Sequence, residues 1–289
     1  MAFDPFLYVA FVIGFVAGRV VRSRSPWLPR ATLITVVVLV GLLGASLDAV
    51  SWLSLVTTVP VAIAFAVLIL GLTAGVYLAL VGFRPEASGP APPPARDERL
   101  PLSLVLLASL LVGLGAGRVI AFPAAASIPW VLYVLLALVG FDLPLKRSAL
   151  RNVWLPLTAA TVGALLGAVT FAAAAHLALP PTLATSFAFG FYSLAGPLVA
   201  ARDGAVWGLL AFLTNFLRED LTMILSPLVG RRLRGAGLAA LGGATSMDTT
   251  LYFVTRYGDV EAGSLAIASG LILTVVASLV LPALLAIPL

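Results

Sequence analysis

Apolar runs about as long as a bilayer is thick follow one another along this chain. A stretch of roughly 20 such residues spans the hydrocarbon core as an α-helix. A helix also satisfies its own backbone hydrogen bonds, which lipid cannot do. A chain dominated by these runs therefore folds as an all-α polytopic membrane protein. Composition agrees: only 10% of the 289 residues are charged, against about 25% in a soluble domain. The first run, from Pro5, has no basic region before it and no small-residue cleavage site. It reads as a span and not as a cleaved leader.

The same counts exclude several chemistries. The chain has no cysteine and one histidine, so thiolate catalysis, disulfides and His-rich metal sites fall away. A Walker-type phosphate loop is missing. The net charge of +5 fits basic cytoplasmic loops better than a nucleic-acid surface.

Eight spans are predicted, at 5–21, 31–50, 55–82, 102–121, 129–145, 155–179, 205–229 and 262–287. The third is long, and Pro60 offers a bend. Arg22, Arg24 and Arg30 follow the first span. Arg84, Arg96 and Arg99 follow the third; Lys146, Arg147 and Arg151 the fifth; Arg231, Arg232 and Arg234 the seventh. The connections around Ser51, Ala124 and Pro180 carry no Lys or Arg. Basic loops stay in the cytoplasm, so both termini are expected outside. The segment "RPEASGPAPPPARDER" reads as a cytoplasmic linker, because its proline and charge content prevents a packed core.

Two matches flank that linker in order. "IGFVAGRV" at 13–20 returns as "VGLGAGRV" at 112–119, and "LVG" at 39–41 returns at 138–140 with the same displacement. "WLSL" at 52–55 and "WLPL" at 154–157 follow with a slightly larger one. The three in order predict a duplication. Its unit holds three spans, so the second copy must run upside down, the inverted-repeat plan of many secondary transporters. The expected organisation is a first repeat at 1–83, a linker at 84–101, an inverted repeat at 102–180 and a C-terminal core at 181–289.

That core is not a plain ladder of helices. Two glycine-containing polar segments interrupt it: "FGFYSLAGPLVA" at 189–200, and "GGATSMDTT" with its extension "LYFVTRYG". If both crossed the membrane fully, the Arg231–Arg234 cluster would fall outside. If each enters and returns on its own side, the cluster stays in the cytoplasm. Two re-entrant or broken-helix segments entering from opposite faces are therefore predicted. Ser193 and Ser246 occupy similar places in the two.

A few acids stand out from the loops. Asn215, Glu219, Thr222 and Ser226 recur at helical spacing and make one polar face on the seventh span. An intramembrane carboxylate is costly to keep and marks a functional candidate, so Glu219 is favoured over a structural partner of Arg218. Asp48 reads equally well as an outer-boundary residue or a functional acid. Asp142 reads as a salt-bridge partner of Lys146 or Arg147. Asp248 reads either as an N-cap or as a substrate ligand. Tyr192, Ser193, Gly196, Asn215, Thr245, Ser246, Thr249 and Thr250 are the candidates to bind substrate or line the breaks. His176, at the outer end of its span, reads as structural.

"GFYSLAGPL", "TNFLRE" and "GGATSMDTTLYFVTRYG" together resemble the C-terminal signature of the LysO-type lysine exporters of prokaryotic inner membranes. The resemblance implies eight spans, both ends outside, and export of L-lysine from the cytoplasm. It also implies a needed pair of intramembrane acids, which by motif position are Glu219 and Asp48. The family segment reads closer to "GWYSLSG", and Ala195 here removes a hydroxyl, which bears on amino-acid preference.

Lysine leaves against an inside-negative potential that opposes each charge by about 2.3 kcal/mol per 100 mV. Proton antiport through buried carboxylates offsets this. A nearby ammonium favours the ionised carboxylate and desolvation favours the protonated one. The expected partners are L-lysine and the bilayer, with no nucleic acid, no cofactor and a homo-oligomer left open. The coupling ion is the proton, with sodium as the alternative. A transporter of another amino acid or small solute is the rival reading. An intramembrane aspartyl protease is weaker, because "SLDAV" and "SMDTT" share only Ser-x-Asp. A purely structural subunit would leave the polar face around Glu219 unexplained.

Overall fold

The structure, a computed structural model, describes residues 5–21, 27–47, 50–82, 102–120, 123–142, 152–247, 249–258 and 262–287. Asp48, Asp248 and the linker at 84–101 lie outside the described residues. Every regular element among the described residues is helical. In order they are α1 (Pro5–Val21), α2 (Leu28–Ala45), α3 (Trp52–Val81), α4 (Leu102–Val119), α5 (Ala124–Asp142) and α6 (Trp154–Ala175). They continue with α7 (Leu179–Ser186), α8 (Tyr192–Asp203), α9 (Ala205–Gly242), α10 (Leu251–Tyr257) and α11 (Ala262–Ala286). A short 3-10 turn, Gly243–Met247, follows α9.

Among the described residues, α3, α6 and α11 are long and apolar enough to cross a membrane. α1, α2, α4 and α5 carry shorter apolar stretches, such as Val9–Val21 and Val105–Val119. Ser51 caps the start of α3, its hydroxyl accepting from the Ser54 amide at 3.1 Å. It runs on past Pro60 to Val81.

Glycines decide how the first six helices pair. A methyl group at Gly14 would sit 2.0 Å from the Ala137 carbonyl oxygen, and one at Gly18 would sit 2.3 Å from that of Phe141. α1 therefore lies backbone to backbone along α5. Gly113 and Gly117 do the same on α2, with a methyl meeting the Gly41 oxygen at 2.0 Å and the Ala45 oxygen at 2.3 Å. The Ser109 hydroxyl adds a 2.7 Å bond to the Val37 carbonyl. In both pairs later residues meet later residues, so the partners run parallel. α3 and α6 run antiparallel: Gly163 packs on Thr73, Gly167 on Ile69, and the rings of Phe65 and Phe171 stack with centroids 4.2 Å apart.

The remaining elements form two hairpins and two long helices. His176 closes α6 in the left-handed conformation (φ 52°) on the exposed surface. α7 then turns back along α6, and the Ser186 hydroxyl reaches the Ala164 carbonyl at 2.7 Å. The chain breaks over 187–191, and α8 leads out along α9, with Gly208 seated against Gly196 and Ala200. Gly204 (φ 94°) makes the turn into α9.

α9 does not stop at a basic loop, as the expected span 205–229 would have it. Its helix carries through Arg231 and Arg232 and breaks at Arg234 (φ 53°, ψ −171°). Residues 235–242 then re-enter the bundle as a short half-helix. α10 brings the chain back, so that a methyl at Gly258 would lie 2.8 Å from the Gly235 Cα. The first hairpin opens at the end of the bundle where α9 starts, near Gly208. The second opens at the other end, where Gly230 abuts Tyr257.

The glycine pairing predicts the effect of filling it. Gly113→Leu should destabilise the bundle by at least about 1–3 kcal/mol through overpacking. Gly71, with nothing within 4 Å of an added methyl, is the control. In mild detergent, Gly113→Leu should lower the unfolding temperature and broaden the size-exclusion peak, and Gly71→Leu should do neither.

Candidate functional site between two hairpin tips

A broken helix leaves carbonyls at the end of one half and amides at the start of the next. Buried, each such group costs free energy unless it finds a partner. Both hairpins break in the centre of the bundle, and their tips solve this problem together. The Ala244 amide donates to the Phe189 carbonyl at 2.8 Å. Phe189 (φ 53°), Gly190 (φ 93°) and Gly243 (φ 64°) all take the left-handed region. At Gly243 the reason is visible, since a methyl there would lie 2.3 Å from the Phe189 oxygen. Phe189 and Ala244 are buried in one apolar cluster with Leu273 and Ala277 of α11.

α9 supplies the side chains that hold both tips. Asn215, 1% exposed, donates to the Thr185 carbonyl at 2.8 Å and to the Ala211 carbonyl at 2.9 Å. Its Oδ1 accepts from the Gly190 amide at 2.8 Å. One amide side chain thus bridges the break between α7 and α8. One turn on, Arg218 is fully buried, with 0% exposure. Its Nε donates to the Leu241 carbonyl at 3.0 Å and its Nη2 to the Ala240 carbonyl at 3.1 Å. Those carbonyls end the half-helix 235–242, where the partial charge is negative and a cation is favoured.

Glu219 follows Arg218 and is 3% exposed. Thr222 and Ser226 are also buried on this side of α9. Their hydroxyls return to their own helix, to the Arg218 carbonyl at 2.7 Å and the Thr222 carbonyl at 2.6 Å. The polar face read from the sequence is therefore a buried face, and Arg218 belongs to it.

The other candidates fall into place around the tips. Ser246 donates to the Gly243 carbonyl at 2.7 Å and lies 2.9 Å from the Ala266 carbonyl on α11. Thr245 reaches the Gly242 carbonyl at 3.0 Å, and its hydroxyl lies 3.5 Å from that of Thr250. Thr249 is half-buried beside them. Tyr192 packs its ring edge-on to Phe212 and Phe216, with centroids 5.6 and 5.9 Å away. Ser193 is buried at the start of α8. Gly196 lets α8 approach Phe212 of α9, with a methyl position 2.8 Å from its Cβ. Asp48 and Asp248 lie outside the described residues.

From the sequence, Arg218 reads only as a possible partner for Glu219, and Phe189 carries no assigned role. The signal for Arg218 was its position three residues after Asn215, which shares the face. Nothing in the sequence marked the carbonyls it caps, because they belong to a half-helix from elsewhere in the chain.

Two opposed hairpins with bonded tips, set among membrane-length apolar helices, define a multi-pass membrane protein built around broken helices. Residues 107–285 match the family model described as lysine exporter LysO, and the chain belongs to that family. It is 34% identical over 195 residues to the lysine exporter LysO of Escherichia coli, covering 65% of this chain and 63% of that protein. A Haemophilus influenzae protein, whose assignment as a lysine exporter is provisional, is 28% identical over 186 residues, covering 61% of this chain and 94% of the relative. No solved structure matches.

Asn215→Leu removes three hydrogen bonds and leaves the Gly190 amide and the Thr185 carbonyl buried. Each group left unpaired costs about 1–3 kcal/mol. A drop in unfolding temperature larger than that of Ser109→Ala, which loses one bond, is the expected result of a thermal melt in detergent.

Proposed function

We propose that this protein exports L-lysine, and close cationic analogues, from the cytoplasm of a prokaryotic cell across its inner membrane. The observation that carries the reading is Glu219, a buried carboxylate on the α9 face that holds both hairpin tips, in a chain of the lysine exporter family. Export works by proton antiport: protons entering from outside protonate buried carboxylates, and cytoplasmic lysine displaces them. Glu219 is one such acid, and Asp48, outside the described residues, is the second acid that the family resemblance implies. A carboxylate in low dielectric favours the neutral form, and an arriving ammonium favours the ionised form. Proton and lysine therefore compete for one site.

In this reading the two hairpins are re-entrant, and the bundle has eight crossings with both termini outside. The parallel pairing of α1 with α5 and of α4 with α2, beside the antiparallel pairing of α3 with α6, supports an inverted three-helix repeat. If α1 points one way, α5 shares its direction. α4 shares the direction of α2, opposite to that of α1. The matched glycines Gly14 and Gly113, and Gly18 and Gly117, do the same packing in the two copies. The breaks at the centre provide the irregular backbone that a substrate site in a membrane requires.

The test is lysine efflux from proteoliposomes under imposed pH and voltage gradients. Wild-type protein should export labelled lysine faster with an acidic exterior. Glu219→Gln should abolish the response to the pH gradient. Full proton-driven efflux by Glu219→Gln would remove this acid from the mechanism. Counterflow that prefers another amino acid, or a gradient response to sodium alone, would replace the lysine-proton reading.

A further inference from the structure

Arg218 is an unusual residue to bury. It is fully enclosed, yet no ion pair to it forms among the described residues. Two of its three nitrogens cap the carbonyls of Leu241 and Ala240. The third, Nη1, is buried and has no hydrogen-bond partner among the described residues. The partial negative charge of two helix-end carbonyls does not neutralise a whole guanidinium. A buried cation left that way is costly unless another group completes it.

The position of this spare donor is informative. The guanidinium lies at the junction of the hairpin tips, with Nη2 3.1 Å from where a Gly243 methyl would be. It stands beside Glu219 in sequence, so α9 places one cation and one anion at the same level of the bundle. A free amino acid carries both complementary charges. Guanidinium is the preferred partner for a carboxylate, because planar N–H groups match its oxygens.

We propose that Arg218 Nη1 is the subsite for the α-carboxylate of the transported amino acid, which completes the charge balance of the buried guanidinium. The inference rests on the transport reading above and adds a requirement to it. The substrate must carry a free carboxylate, so a diamine of the same length is a poor ligand. Arg218 thus has two jobs, capping the half-helix 235–242 through Nε and Nη2 and recognising substrate through Nη1. When the amino acid docks, its carboxylate is joined through one guanidinium to the end of the second hairpin.

The experiment compares ligands on the full-length protein in detergent, by thermal stabilisation, and then in counterflow with labelled lysine. The ligands are L-lysine, 1,5-diaminopentane (lysine without its carboxylate) and a panel of other α-amino acids. Wild type should prefer lysine over the diamine on the order of 10- to 100-fold, the value of a charge-assisted hydrogen bond. Arg218→Lys should reduce that ratio to a few-fold, by weakening lysine and not the diamine. A purely structural role would lower stability and leave the ratio unchanged, which overturns the proposal. If Arg218→Lys does not fold, the wild-type ratio decides, and equal binding of lysine and the diamine overturns it. Stabilisation by other α-amino acids but neither lysine nor the diamine keeps the carboxylate subsite and overturns the lysine reading. No stabilisation by any amino acid overturns both.

Discussion

The centre of this protein depends on satisfying the backbone groups that two broken helices leave buried. Asn215 bridges one break and Arg218 caps the end of another, from adjacent turns of a single helix. The tip-to-tip bond from Ala244 to Phe189 joins the two. Without these partners the breaks would expose unpaired carbonyls and amides where little water competes for them. α9 therefore serves as a post on which both hairpins hang. Displacing one tip disturbs contacts that the other shares.

Close helix packing lets the tips meet. α8 approaches α9 because Gly196 and Gly208 lack side chains. α11 approaches the second tip because Gly270 does, a methyl there falling 2.7 Å from the Ser246 hydroxyl. In the first six helices the same device sets partner choice, through Gly14, Gly18, Gly113 and Gly117. Between apolar helices in lipid, burial gives little drive to associate, so close backbone approach and a few hydrogen bonds carry the packing. Small residues at these positions therefore set which helices can pack backbone to backbone.

The proposed function draws on what the central post carries beyond its structural duties. Asn215 uses its amide fully on the break. Thr222 and Ser226 use their hydroxyls on their own helix. Arg218 and Glu219 are the ionisable residues buried on this face between them, at the level where the tips meet. An amino acid carries opposite charges at fixed spacing, and the proposed site would meet them with the cation and the anion of this one helix. The direction and cargo proposed for this site rest on likeness to proteins named as lysine exporters.

Much of this was legible in the sequence, in ways that follow from local physics. Apolar length and low charge indicated membrane helices, because a run of that length folded as a helix satisfies its own backbone hydrogen bonds in lipid. Arginine placement predicts that the two polar segments turn back, and in the structure each lies in a helical hairpin. Helical spacing put Asn215 and Glu219 on one face. The helix through Arg231 and Arg232 to Arg234 was not legible, since local composition there resembles a loop. Nor was the partner of Arg218, because its carbonyls come from residues more than 20 positions later that only folding brings near. The sequence by itself determined that apolar helices dominate, that polar glycine-containing segments interrupt the C-terminal third and which face of α9 is polar. The tertiary structure alone decided that the breaks meet and that Arg218 caps one of them. Those outcomes depend on close approach between distant segments, and spacing along one segment does not encode it.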